Sequence, residues 1–427
     1  PAWREFLRSE IAAGVDAVAD GIVFDDIKAQ VLTVGFTPAG VFNDVDMQGF
    51  REFLRGVYPS DVLASRFGIT SLDGFNYRTY IIERGHAERW RSAPWEVPLF
   101  NEFRVFEYQS TLQHYAEMVR WAKDHAQTTQ GKSIVFLGNT STGLDMSLPF
   151  ERSLDVAWPE FPYYQFVAAN RSWFGKDWTW KPRAAIFYPV SSYLGGSDSY
   201  YGAALALLDT GVQFDAVFSG DGRMMPNTTT LAALTPYAVV ILSNTVGMTA
   251  EQVQLVLDYV RGGGTVVAWG SPGAANEFQD WSIARPREWQ DFWPVGTHRL
   301  GAGTFVMVSQ ADVARDYFTN RTSAARDDML RHVTPLAPAE LWIGQAHVNG
   351  LVYTHATGDK LAIHLVNYDY NIDNDSFPEF GPVTVTLRLP DGFDLAGKRV
   401  RFISPDFEEP QAVEYQVADR RATFTIP

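Results

Sequence analysis

The residues best placed to do chemistry are carboxylates that follow directly on short apolar runs. Asp25 and Asp26 close the run Gly21-Ile22-Val23-Phe24, and Glu160 stands two residues beyond Leu154-Asp155-Val156-Ala157-Trp158. In barrels built from alternating strands and helices, reactive groups collect where strands end and loops begin. Two carboxylates from different strands are the minimum needed to break a glycosidic bond. One donates a proton to the leaving oxygen, and the other acts as nucleophile or base. Asp26 and Glu160 are the expected pair, with Asp25 and Asn139 as supporting contacts. The plainer alternatives are that Asp25 or Asp26 caps the next helix or holds a loop amide, and that Glu160 is a surface residue between Pro159 and Pro162.

A second group is aromatic: Trp158, Tyr163, Tyr164, Trp173, Phe174, Trp178 and Trp180. Sugars present apolar C–H faces that such rings can cover. Trp158, Tyr163 and Trp173 are the expected substrate contacts; a core or domain interface is the alternative for each ring.

Other chemistries are excluded by composition. The 427 residues hold no cysteine, which rules out disulfides, thiolate metal sites and cysteine nucleophiles. The 35 Lys+Arg against 50 Asp+Glu give a net charge of −15, which argues against nucleic acid and anionic membrane partners. The eight histidines form no H-E-x-x-H motif, so no metal or other cofactor is expected. Asp369, Asn371, Asp373, Asn374 and Asp375 lack the glycine and terminal glutamate of a calcium loop and read as solvated. Gly262-Gly263-Gly264 follows a helix, which fails the context of a dinucleotide or phosphate loop. No run approaches the length of a membrane span and no basic-then-apolar leader opens the chain, so a cytoplasmic location is favoured.

Three regions position these groups. Over residues 1–180, short apolar runs alternate with helical patterns: Trp3, Phe6, Leu7, Ile11 and Val15 at helical spacing, Met47–Tyr58, and Phe103–His125. Strands are expected at 21–24, 133–137 and 154–158, with further candidates at Val34–Phe36 and Phe166–Ala169. This implies a parallel α/β layout. Residues 181–345 form a cleaner strand–helix array, including strands at 184–188, 214–218, 238–242 and 265–269. Thr249 caps a helix at Ala250–Arg261 within it. Residues 346–427 are short strands spaced by turns, which implies an antiparallel β-sandwich.

Several of these segments, in order, resemble the glycoside hydrolases related to the family-42 β-galactosidases. Gly21–Asp26 with Phe50-Arg51-Glu52-Phe53-Leu54-Arg55 and Tyr58 resembles that family's acid/base strand and the F-R-x-x-L helix after it. Phe100-Asn101-Glu102-Phe103-Arg104-Val105-Phe106 is similar to its D-F-R-x-F helix start. Ile363-His364-Leu365-Val366-Asn367-Tyr368 is similar to the strand opening its C-terminal β-domain. The resemblance implies a multidomain α/β chain in three parts. These are a (β/α)₈ TIM-type barrel, only part of it within this sequence, a flavodoxin-like (amidotransferase-like) trimerisation domain, and the β-sandwich. It implies a homo-oligomer, a trimer in that family, acting on a glycoside or oligosaccharide, and it places Asp26 at the acid/base position. The family has Asn-Glu where this chain has Asp25-Asp26, and its nucleophile lies on a later strand than 154–158, so Glu160 is a substitute and not a match. The helix at Pro1–Ala19 resembles the one before the fourth barrel strand, so three strands are expected upstream of Pro1. A non-catalytic carbohydrate-binding or assembly subunit, or a lyase on the same scaffold, remains an alternative.

Overall fold

The computed structural model describes residues 2–17, 19–24, 42–139, 154–158, 164–193, 197–369, 371, 376, 378, 380–407 and 409–427. The chain divides into two compact units, one of Pro1–Glu160 with Gly220–Asn227, the other of Phe161–Ser219 with Thr228–Pro427.

In the first unit, helix α1 (Ala2–Asp16) leads into strand β1 (Gly21–Phe24). Helices α2 (Asp44–Val57), α3 (Ser60–Phe67), α4 (Tyr77–Glu83), α5 (Ala87–Ser92) and α6 (Phe100–Gln130) follow, then strands β2 (Val135–Asn139) and β3 (Val156–Trp158). The three strands form one parallel sheet in the order β1-β2-β3. The helical spacing read at the start of the chain holds for the buried side. Ile11 and Val15 pack with Met118, Val119, Ala122 and Ala126 of α6 and Ile134 and Phe136 beside the sheet, while Phe6 is exposed. Helix α6 stops where Gly131 takes a left-handed conformation (φ 64°) and donates its N–H to Gln127, a glycine terminator. A different, aromatic core covers the other half of α6: Phe50 on Phe103 (5.0 Å), Tyr77 on Phe103 (5.1 Å) and Trp90 on Phe100 (5.3 Å). The candidate strand Val34–Phe36 lies outside the described residues.

The second unit opens with helix α7 (Tyr164–Ala169) and strand β4 (Trp178–Thr179). Phe166–Ala169 is thus helical and not a strand: a four-residue apolar run does not distinguish the two by itself. A six-stranded sheet follows from β5 (Ala184–Pro189), β6 (Phe214–Ser219), β7 (Val239–Ser243), β8 (Thr265–Trp269), β9 (Gly296–Leu300) and β10 (Gly303–Ser309), in the order β6-β5-β7-β8-β10-β9. All neighbours are parallel except β9 with β10. Its inner strands β5, β7 and β8 are apolar on both faces, as a sheet covered by helices on both sides demands. One side packs against α8 (Asp198–Asp209); the other packs against α10 (Ala250–Arg261), which comes after the short α9 (Leu231–Leu234). Thr249 accepts from the N–H of Gln252 while the Gln252 side chain accepts from Thr249, a complete capping box. After the short α11 (Arg287–Gln290), helix α12 (Val313–Asn320) lies against α8, and α13 (Ser323–Leu330) joins them. Gly202 permits that approach, because a β-carbon there would strike the Ala314 carbonyl.

The remaining strands are antiparallel: β11 (Leu341–Ile343), β12 (Val348–His355), β13 (Leu361–Asn367), β14 (Val383–Arg388), β15 (Val400–Phe402), β16 (Gln411–Val413), β17 (Tyr415–Ala418) and β18 (Arg421–Ile426). They form sheets β11-β14-β18-β17 and β13-β12-β4, plus the pair β15-β16. Val385, Leu387, Phe424 and Ile426 of the first share a core with Val352, Ile363 and Leu365 of the second. Residues 411–418 form two strands and not one, because the chain leaves β15 and joins β18 at Glu414. No helix among the described residues is long and apolar enough to cross a membrane.

Candidate active site

The parallel sheet of the first unit sets the site. Gly21 lies close against β2, where a β-carbon would come within 2.9 Å of the Val135 carbonyl. From there the register runs Phe24 opposite Gly138, Leu137 opposite Val156 and Asn139 opposite Trp158. All three strands therefore point the same way and finish at one edge. Asp155 ties the start of β3 to this arrangement. Its carboxylate accepts from Lys123 (2.6 Å) and from the Phe136 N–H (2.9 Å), and those bonds hold it below the usual carboxylate range.

The expected site residues fall unevenly on this frame. Asn139 and Trp158 are brought side by side as backbone partners at the strand ends; their side chains are outside what is described. Asp25, Asp26, Glu160 and Tyr163 lie outside the described residues. Trp173 belongs to the second unit. Its ring packs 5.4 Å from Trp178 and its carbonyl accepts from His364 (3.2 Å).

The structure adds groups that the sequence reading passed over. Phe24, the last residue of β1, packs on Tyr115 of α6 at 5.1 Å. Helix α6 precedes β2 and runs against the strands, so residues before Tyr115 lie toward the strand ends. Glu107 is eight residues before it, about 12 Å along the axis. Its carboxyl is buried (8% exposed), and Oε1 has no hydrogen-bond partner among the described residues. Burial, reinforced by the charge of Asp46 on α2, pushes Glu107 up to about 8. It therefore holds its proton at neutral pH. Asp46 is also raised by burial, against the opposing effect of the Asn43 amide that donates to it. Glu102, one and a half turns earlier, is 4% exposed and accepts from the Tyr58 hydroxyl at 2.7 Å. Burial, then the charges of Glu102 and Tyr80, drives Tyr77 upward; its hydroxyl donates to the Pro98 carbonyl at 2.7 Å. Arg104 is buried with its guanidinium 5.5 Å from the Phe100 ring.

A third buried carboxyl, Asp221, lies in the segment 220–227. Oδ1 accepts the N–H groups of Arg223 (2.9 Å) and Met224 (2.8 Å), while Oδ2 has no partner among the described residues and burial raises the group. Arg223 stands 5.8 Å over the Phe53 ring, and Phe53 is 5.9 Å from Phe106. A carboxyl kept neutral in an apolar setting is a proton donor, and strongly shifted acids concentrate where enzymes do chemistry. The spacing held the signal for Glu107: it is four residues after Phe103 and so shares the face of a fully buried ring. Among the described residues, no group of His, Asp and Glu could hold a metal ion.

No family model matches the sequence, and no curated protein matches it. Solved structures do match. Gan42B, a GH42 β-galactosidase from G. stearothermophilus, superposes with a TM-score of 0.58 at 9% identity, over 100% of this chain and 81% of its own. A β-galactosidase from the psychrophilic Marinomonas ef1 gives 0.53 at 9% identity, over 99% and 83%. The β-galactosidase from Bacillus circulans sp. alkalophilus gives 0.52 at 9% identity, over 100% and 82%. The chain has a GH42-like glycoside hydrolase fold. At these identities the likeness is one of scaffold. In this GH42-like scaffold, the parallel strand ends and the N-terminal half of α6 lie on the same side of the first unit's sheet.

Proposed function

We propose that the chain is a β-galactosidase-like glycoside hydrolase that cleaves its substrate with two carboxylates, Asp26 and Glu160. Water adds across the C–O bond: one carboxyl protonates the departing oxygen, and the other attacks or activates water at the anomeric carbon. Asp25, Asn139, Trp158 and Tyr163 are the supporting contacts in this reading. The observation that carries it is the register of β1, β2 and β3. Three parallel strands finish at one edge, and Asp25-Asp26, Asn139 and Glu160 stand at or just past their ends in sequence. The similar solved structures being β-galactosidases supports the substrate class.

In the same reading, residues 1–180 are part of a (β/α)₈-type barrel. Residues 181–345 are a flavodoxin-like domain, supported by the order β6-β5-β7-β8-β10, which follows the 2-1-3-4-5 pattern of that fold. Residues 346–427 are a β-sandwich, and the assembly is a homo-oligomer. A panel of nitrophenyl glycosides tests the activity. Asp26→Asn should lower kcat by roughly 10²–10⁴ with the circular dichroism spectrum unchanged. Wild-type turnover in that variant would reject the role of Asp26, and oligosaccharide binding without any turnover in the wild type would reject hydrolysis.

A further inference from the structure

A groove of about 670 Å³ runs across the second unit, within the ~300–1,000 Å³ span of ligand clefts. One wall is a single face of the β12–β13 pair. Asn349, Leu351 and Tyr353 alternate along β12, and His364 and Val366 lie across from Leu351 and Asn349. The opposite face of those strands, with Val352, Ile363 and Leu365, is committed to the core. The other wall comes from Phe214, Asp215 and Ala216 on β6, the edge strand of the six-stranded sheet, with Leu208 of α8. Gln213 keeps the walls in place: its buried amide donates to the Gly350 carbonyl (3.3 Å) and accepts from the Val352 N–H (3.1 Å).

Two rings dominate the groove, Trp180 and Tyr353, with centroids 5.3 Å apart and planes tilted by 43°. The lining also carries polar groups with no hydrogen-bond partner among the described residues: the indole N–H of Trp180, the Tyr353 hydroxyl and the Asn349 amide. Asp215 accepts from Tyr237 through Oδ2 (2.7 Å), which leaves Oδ1. His364 uses Nε2 on the Trp173 carbonyl, and burial lowers its proton affinity, so the imidazole is neutral and Nδ1 is an acceptor. We propose that this groove binds a neutral oligosaccharide, with sugar faces on Trp180 and Tyr353 and hydroxyls held by Asn349 and Asp215. An apolar helix laid here would cover the rings but strand the five polar groups without partners. A sugar satisfies both, because it carries C–H faces and hydroxyls on the same ring. An anionic ligand is disfavoured by the net charge of −15 and by Asp215 itself.

The proposal rests on this groove and not on the carboxylates of the first unit. It is tested by titrating galacto-, gluco-, manno- and xylotetraose into the full chain carrying Asp26→Asn, so that hydrolysis cannot consume the probe. Tryptophan fluorescence and calorimetry are the readouts. At least one sugar should bind saturably with Kd on the order of 1 mM or tighter. Trp180→Ala and Asn349→Ala should each weaken that binding about tenfold, a loss of one stacked ring or one hydroxyl partner. Tyr353→Phe keeps the ring and the packing, and should weaken binding severalfold with the melting temperature unchanged. Binding that all three variants leave intact would overturn the proposal, as would no saturable binding of any sugar up to about 30 mM. It would equally be overturned by sedimentation showing that Val366→Arg dissociates an oligomer that covers the groove.

Discussion

Removing the ionisable group at residue 107 without changing its size tests the proton inventory of the first unit. Glu107 has an ordinary value of 4.5 and is raised to about 8 when folded, chiefly by burial. Between those values the folded chain keeps a proton that the unfolded chain releases. Stability contributed at this position is therefore intact below about pH 4.5 and declines as pH rises through about 8. The full span amounts to about 5 kcal/mol at 1.36 kcal/mol per pH unit. Glu107→Gln abolishes that titration. Measured by denaturant unfolding of wild type and variant in parallel, so that every other titrating group cancels, the variant should gain about 5 kcal/mol relative to wild type between about pH 4 and pH 9. Curves that stay parallel within about 1 kcal/mol across that window would show that Glu107 ionises freely in the fold, and would refute a buried proton there. Carboxyl ¹³C resonances of labelled glutamate give an independent reading of the same midpoint. In Asp46→Asn that midpoint should fall, yet stay above 4.5, because burial is the larger of the two causes.

Two further outcomes follow from the second unit. Gly202→Ala forces a β-carbon into the Ala314 backbone carbonyl, which cannot rotate away, so thermal unfolding should show a loss of about 3 kcal/mol. Arg285 donates to the carbonyls of Gly273 (2.7 Å), Met248 (2.5 Å) and Ala275 (2.6 Å). Arg285→Met should cost about 3 kcal/mol by leaving the Gly273 and Met248 carbonyls unpaired, while Ala275 keeps the Met248 N–H, read from the denaturant midpoint.

Legibility followed how local the cause was. The helix at Ala250–Arg261 is bounded as its sequence reads, because Thr249, Gln252 and the glycines after Arg261 settle its ends within a few residues. The parallel strands of the first unit were visible as apolar runs, and with them the edge at which those strands finish. Helix α6 was read as Phe103–His125 and spans Phe100–Gln130. Its polar last turn, Gln127–Gln130, carries no periodic signal, and it begins after Leu99 with no capping side chain. Glu107 was missed for a different reason. Its spacing from Phe103 marks a buried face, but α2, which brings Phe50 and Asp46 to that face, lies some sixty residues earlier in the chain, and no local pattern encodes its packing there.

The length of α6 explains why a dry carboxyl arises in this part of the fold. Thirty-one helical residues extend about 46 Å, whereas the five residues of β2 cover about 17 Å. The C-terminal half of α6 packs on α1 and the sheet through small and aliphatic residues such as Ala122 and Ala126. The N-terminal half reaches past the strand ends, where no strand among the described residues covers it. Helices α2, α4 and α5 enclose it instead, with Phe50, Tyr77 and Trp90 closing on Phe103. Large rings exclude water from the side chains between them, and tyrosines among them bring hydroxyls into the apolar layer. Tyr58 thereby satisfies Glu102, while Glu107 finds no such partner on Oε1 and keeps its proton. The overhang of one helix beyond its sheet thus creates, on the strand-end side, an environment in which a carboxylic acid keeps its proton at neutral pH.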